Sequence, residues 1–176
     1  MQTRDPDSGA DALPLRRIAP DLRRVRAPNV SPMTHSGTNS YLLGTGAVAL
    51  IDPGPDDPQH LIIVTHRHLD HTALAPRLAA RTGAPTFAFA PAEVTRRPIM
   101  AALAAQGGIG GGEGHDDAFA PDHLLRDGEV LALGDWSVTA LHTPGHTADH
   151  LSLQSGTWVF CGDIVMGWAS TLISPP

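Results

Sequence analysis

The sequence predicts one α/β domain built as a layered sandwich, and three observations carry that prediction. Short β-rich segments come in pairs joined by Thr45-Gly46, Gly134-Asp135 and Ser155-Gly156, as antiparallel hairpins require. Segments with helical spacing, Thr72–Arg81 and Ala92–Gln106, lie among them. Leu61–Val64 is a continuous apolar, β-branched run, the pattern of a strand buried on both faces. Strands and helices interleaved in this way form layers around a shared core.

Taken in order, residues 1–12 are polar, with Asp, Pro, Ser and Gly close together, and read as a disordered tail before a domain spanning 13–176. Arginines alternate with apolar residues from Ile18 to Val30, consistent with an edge strand, and Asn29 to Thr34 form a loop. Ser40–Gly44 and Ala47–Asp52 make the first hairpin, closed by Asp52-Pro-Gly-Pro. After Leu61–Val64 and the helix ending before Gly83 come a strand over Pro85–Ala90, a helix over Ala92–Gln106 and a glycine-rich loop, Gly107–Gly114. That loop lacks the Gly-Lys-Ser/Thr ending of a phosphate-binding loop. Glu129–Leu133 pairs with Trp136–Leu141, and Leu151–Leu153 with Trp158–Cys161. Only eight residues separate Asp52 from Leu61, whereas a parallel crossover needs about a dozen. A segment is therefore expected to be missing near Gln59–Ile62.

At 176 residues and 18.5 kDa the chain suits a single core. No apolar run approaches the ~20 residues that span a bilayer, and the N-terminus does not read as a secretory signal, so the expected location is cytoplasmic, with no membrane partner. The net charge is −6, and all twelve basic residues are arginine. An acidic chain is a poor non-specific ligand for nucleic acid, which weighs against a nuclease. The one cysteine, Cys161, forms no internal disulfide and reads as a small core residue.

The chemistry concentrates in His66-x-His68-x-Asp70-His71. At a strand end, residues i and i+2 point the same way, so His66 and His68 converge. Asp70 and His71 follow where a helix begins and can face a second point nearby. Imidazole nitrogen and carboxylate oxygen are donors that zinc prefers; solvated histidines at a strand end are the plainer alternative. His146, in Thr143-Pro-Gly-His146-Thr, is swung by a glycine bend toward the strand ends. Asp163, in Cys161-Gly-Asp163, follows a strand and can bridge two cations with its two oxygens. Alone, each would read as structural; together with the first motif they read as ligands. His150 reads as a polar strand-start residue, with a ligand-orienting role as the second reading, and His142 is similar. His35 and Asn39 are candidates for the pocket border, whereas His115 and His123 read as surface residues.

Taken in order, these elements resemble the metallo-β-lactamase superfamily. The match runs from about Thr38 to Pro176 and looks closest to the β-lactamase-like protein 2 group and the glyoxalase II-like dinuclear branch. Thr38-Asn-Ser-Tyr-Leu-Leu, Ile51-Asp-Pro-Gly, His142-Thr-Pro-Gly-His-Thr and Phe160-Cys-Gly-Asp-Ile-Val-Met-Gly carry the likeness. The resemblance implies a four-layer αββα sandwich with the metal site at one edge between two sheets. It assigns His66, His68 and His146 to a first metal, Asp70 and His71 to a second, and Asp163 to both. It also implies a further histidine downstream of Asp163 and C-terminal helices. No histidine follows His150, and Pro176 comes thirteen residues after Asp163, so the domain is expected to be C-terminally incomplete.

The implied cofactor is Zn2+, two per chain, with iron or manganese as alternatives. The implied activity is metal-dependent hydrolysis by a metal-bridged hydroxide, with Asp70 as the catalytic residue that orients it. The bond is of ester type, a phosphodiester or a thioester, so the partner is a small molecule or single-stranded RNA. Rival readings are a mononuclear iron oxidoreductase of the persulfide dioxygenase type, which needs only His66, His146 and Asp163, and a catalytically silent metal-binding domain. A homodimer is the commonest prior for assembly.

Overall fold

The computed structural model describes residues 15–54, 62–89, 102, 114–116, 118–133, 136–167 and 169–173. Two sheets dominate it. In the first, β1 (Leu15–Ala19), β2 (Leu22–Arg26), β3 (Asn39–Leu43) and β4 (Ala49–Ile51) are antiparallel neighbours in that order. The single edge strand expected over Ile18–Val30 is therefore a hairpin. Pro20-Asp21 reverses the chain, because proline pre-sets φ and aspartate favours the turn. Arg16 faces Arg24 and Arg17 faces Arg23 across this hairpin. Such charge on an edge discourages pairing with another chain.

Beyond β4 the sheet becomes parallel. Ile63 bridges Ile51 on one side and Phe87 of β5 (Phe87–Phe89) on the other, and β5 pairs in parallel with β6 (His123–Leu125). Three residues are too few to show a strand's alternation, and β6 has no counterpart in the sequence reading. The parallel relation of β4 to residues 62–64 is the one that made eight connecting residues look short. The connection itself lies outside the described residues. So do the tail before residue 15, the Gly134-Asp135 turn, the helix expected over Ala92–Gln106 apart from residue 102, and the glycine-rich loop apart from Gly114.

The second sheet contains β7 (Val130–Leu133), β8 (Trp136–His142), β9 (Leu151–Ser155) and β10 (Trp158–Phe160), antiparallel in the order β10-β9-β8-β7. Its inward residues Val138, Ala140, Leu151, Leu153 and Phe160 pack against Leu22, Leu43, Ile51 and Ile63 of the first sheet. The opposite face of the first sheet carries Leu42, Leu50 and Val64, covered by Leu74, Ala75 and Leu78. The helix expected over Thr72–Arg81 is a single turn, α1 (Leu69–Thr72), followed by α2 (Ala75–Thr82). Pro76 sits in the first turn of α2, and Gly83 ends it with a φ of 69°, a left-handed conformation that glycine adopts without steric cost. Helix, sheet and sheet are three of the four expected layers. The outer face of the second sheet bears exposed Val130 and Val159, and no helix covers it among the described residues. No helix among them is long and apolar enough to cross a membrane.

The two sheets meet at one edge. Leu151 N–H at the start of β9 donates to Thr65 O at the end of the buried 62–64 segment (2.8 Å). The candidate ligands sit on loops leaving these strand ends.

Candidate metal centre

The structure brings His66, His68, Asp70, His71, His146 and Asp163 together, and its local hydrogen bonds explain their poses. At the strand end, Asp52 accepts from the Thr65 backbone N–H (2.7 Å) and hydroxyl (2.9 Å). With its proton committed to Asp52, the Thr65 hydroxyl oxygen accepts from His66 Nδ1–H (3.0 Å). That leaves the lone pair of His66 Nε2 facing the cluster. His146 is held in the same tautomer, since its Nδ1 can only donate to the Leu172 carbonyl (2.6 Å). His68 presents Nδ1, which lies 3.1 Å from His66 Nε2 and 3.0 Å from His146 Nε2. Ligand atoms bound tetrahedrally at ~2 Å from one cation stand roughly 3.3 Å apart, so these three nitrogens suit a single ion. Burial, reinforced by neighbouring histidines, pushes His66 well below the usual imidazole range and His68 down to about 4. Both are neutral near pH 7, as coordination requires.

A second group lies alongside. His71 Nε2 stands 3.4 Å from Asp70 Oδ2 and 3.6 Å from Asp163 Oδ1. The other Asp163 oxygen, Oδ2, stands 3.7 Å from His146 Nε2 in the first group. One carboxylate thus reaches both clusters, an oxygen to each. Burial opposes the ionised form of Asp70, but the charge and hydrogen bond of His71 and a hydrogen bond from Thr38 outweigh it and hold the carboxyl at about 2. Burial also opposes charge on His71, yet Asp52 and Asp70 raise its proton affinity well above normal. Burial raises that of Asp163. Carboxylates converging in a buried spot favour positive charge there, and this donor set of imidazoles and carboxylates suits metal-ion binding. Two triads, His66–His68–His146 and His66–His71–Asp163, each place their ligand atoms within 4.8 Å of one another.

Beneath these residues runs a supporting layer. His150, expected chiefly as a polar strand-start residue, is fully buried and stacks on His66 at 5.1 Å between ring centroids. Its Nδ1–H donates to Thr143 Oγ1 (3.0 Å), and its Nε2 accepts the backbone N–H of Asp163 (3.2 Å). Burial lowers its pKa to about 3, which keeps that acceptor free of a proton. His150 thus positions Asp163. Gly162 makes this approach feasible: its φ is 48°, and a Cβ there would fall 2.6 Å from His150 Nε2 and 2.8 Å from Thr65 Oγ1. Gly162→Ala is expected to displace the 161–163 turn and weaken metal retention at least ~tenfold, as loss of a supporting contact does. Retention of wild-type metal content under a competing chelator would refute this.

The family model for the metallo-beta-lactamase superfamily matches residues 33–175. The chain belongs to this superfamily. Among its relatives, the beta-lactamase-like protein 2 homolog of Caenorhabditis elegans is 27% identical over 90% of this chain and 55% of its own length. An atrochrysone carboxyl ACP thioesterase of Aspergillus fumigatus is 30% identical over 88% of the chain and 48% of its own length. A metallo-beta-lactamase family protein from Thermus thermophilus superposes with a TM-score of 0.69 at 22% identity, covering 89% of this chain and 64% of that one. The chain spans about half the length of the curated relatives it matches. The metallo-β-lactamase sandwich expected from the sequence is therefore its fold.

Within this metallo-β-lactamase domain, several residues depart from the sequence reading. Asp52, read there as a turn residue, orients Thr65 and stands 3.2 Å from His71 Nδ1. Its position closing a strand just before the histidine motif is the signal that could have marked it. The segment containing His35 and Asn39 reaches the cluster through Thr38, whose hydroxyl donates to Asp70 Oδ2 (3.0 Å). Thr38 is itself held at its hydroxyl and backbone by Asn29 (2.9 Å each). His142 stacks on Phe89 at 4.0 Å and contacts the Ala148 carbonyl, consistent with a structural role. His123 is exposed, as expected, and stacks on Phe87. His115 is not a plain surface residue, because it lies beside His68. Cys161 is half-buried at the edge of the site rather than in the core; its thiol points to Val165 O, and burial pushes its pKa up.

Proposed function

We propose that this domain is a metal-dependent hydrolase with a dinuclear centre, acting on an ester-type bond and preferring a thioester. The observation that carries the reading is Asp163, with one oxygen toward His71 and the other toward His146. His66, His68 and His146 would hold one cation, Asp70 and His71 the other, and Asp163 both. Bound there, the cations supply Lewis-acid polarisation and a water acidified toward neutrality. The chain's own residues do the positioning. Thr65 and Leu172 O aim the lone pairs of His66 and His146, and His150 fixes Asp163. Asp70, kept ionised, orients the attacking water as a hydrogen-bond acceptor.

Two considerations favour the thioester over the phosphodiester. The net charge of −6 disfavours a polyanionic substrate. Relatives from Aspergillus fumigatus, Aspergillus chevalieri and Cryptosporiopsis are named as atrochrysone carboxyl ACP thioesterases.

The test is elemental mass spectrometry of the purified full chain, followed by assays on an acyl thioester of N-acetylcysteamine and on bis(p-nitrophenyl) phosphate. The expected result is about two zinc ions per chain and chelator-sensitive thiol release that outpaces phosphodiester cleavage. About one iron per chain would move the oxidoreductase reading to the front. Full metal content with neither probe hydrolysed would favour a silent metal-binding domain.

A further inference from the structure

The 29–38 loop between β2 and β3 is closed on itself and reaches the ligand cluster through Thr38. Ala27 N–H donates to Thr38 O (2.9 Å), Gly37 N–H donates to Thr34 O (2.9 Å), and the Thr34 hydroxyl donates to Asn29 O. The Asn29 side chain spans the two ends of the loop. Its Oδ1 accepts the Thr38 backbone N–H (2.9 Å), and its Nδ2 donates to Thr38 Oγ1 (2.9 Å). Thr38 is buried, and its hydroxyl lies 3.0 Å from Asp70 Oδ2 on α1.

These three bonds fix one another's direction. A backbone N–H can only donate, so the Asn29 amide turns its oxygen to Thr38 N. The NH2 group then faces Thr38 Oγ1, which has to accept. A hydroxyl has a single proton, and Thr38 is left to donate it to Asp70 Oδ2, a carboxylate oxygen that accepts. Asn29 thus reaches Asp70 through Thr38 and sets the sense of the bond between them. The same Asp70 oxygen stands 3.4 Å from His71 Nε2, so the hydroxyl holds the carboxylate beside its partner ligand.

We infer that Asn29 is a positioning residue of the metal centre, directing the Thr38 hydroxyl onto Asp70 and so holding that carboxylate for the cation it shares with His71. This rests on the dinuclear reading above, in which Asp70 and His71 hold one of two cations. Removing a hydrogen-bond partner of a ligand changes metal affinity by about 10–100-fold.

Asn29→Asp is the deciding variant. It keeps an oxygen for the Thr38 N–H but replaces the donor with an acceptor, which draws the Thr38 hydroxyl away from Asp70. The added negative charge by itself would tighten cation binding, so a weakening reads the direction of the hydrogen bond and not the charge.

The experiment loads the full chain with zinc and measures zinc retained per chain against a graded series of EDTA, with a melting curve for each variant. Wild type should hold two zinc ions. Asn29→Asp should release one of them at about tenfold lower EDTA and keep the other as wild type does. Thr38→Val should show the same loss, and Thr38→Ser, which keeps the hydroxyl, should match wild type. Adding Asn29→Asp to Thr38→Val should cost nothing more, because the hydroxyl it redirects is already gone. Equal retention by Asn29→Asp and wild type would overturn the inference. So would a further loss in the double variant, or a lower melting temperature with both zinc ions lost together, since either makes Asn29 a structural loop residue. If wild type holds fewer than two zinc ions, the dinuclear reading itself has failed and this inference falls with it.

Discussion

Asp163→Ala is expected to lower hydrolysis of any accepted substrate by at least ~10³-fold and to reduce bound metal below two ions per chain. The side chain stands 3.6 Å from His71 Nε2 and 3.7 Å from His146 Nε2 through different oxygens, so its loss removes a donor from both groups at once. A positioned cation contributes several kcal/mol of transition-state charge stabilisation, and each ~1.4 kcal/mol is a factor of ten. The carboxylate is also the least buried member of the cluster, so its removal leaves no sealed cavity and the fold should persist. Elemental analysis and a melting curve on the same preparation separate loss of metal from unfolding. A variant retaining two metals and wild-type turnover would remove Asp163 from the site.

The second large effect concerns stability. Arg67 Nε lies 3.4 Å from Asp149 Oδ2, and the two side chains are only 6% and 5% exposed. The pair joins the two loops that carry the first triad. Arg67 sits between His66 and His68, and Asp149 follows His146 and precedes His150. Asp149→Ala would leave a guanidinium buried without its counter-charge, which costs about 3–5 kcal/mol. For a domain of this size that corresponds to a melting temperature lower by roughly 10 °C. The double variant Arg67→Met/Asp149→Leu should regain most of the loss, because a buried ion pair is often no better than apolar packing of similar volume. If Asp149→Ala melts within about 2 °C of wild type, the pair has no such role.

The candidate ligand cluster could be read from the sequence because metal chemistry uses few residue types at short spacings. Four donors in six residues at a strand end need only the two-residue period of a strand to converge. The hairpins were legible for a similar reason, since turn residues between β-rich segments act locally. The residues that hold the ligands were not. Asp52 lies in the Ile51-Asp-Pro-Gly turn and His150 four residues after His146, but neither position by itself shows what the side chain holds. Their roles arise because β4, the 62–64 segment and β9 end side by side, and that adjacency is set by pairing between distant strands. The Ile18–Val30 segment shows the opposite failure. Its arginine alternation spans a reversal at Pro20-Asp21, and one period-two pattern passed for one strand.

The sequence by itself determined the superfamily and the layered α/β class, and it picked out the six side chains that the fold brings together at the sheet edge, because each is written in local patterns and residue chemistry. Tertiary structure alone decided which nitrogen of each histidine faces inward. It also decided that Asp163 turns one oxygen to each group, and that His115 comes to stand beside His68. Each of those outcomes depends on a hydrogen bond or bridge between residues far apart in the chain: His146 to Leu172, His150 to Asp163, and His68 to His115. Such contacts form only once the two sheets have closed on their common core, and no local spacing encodes them.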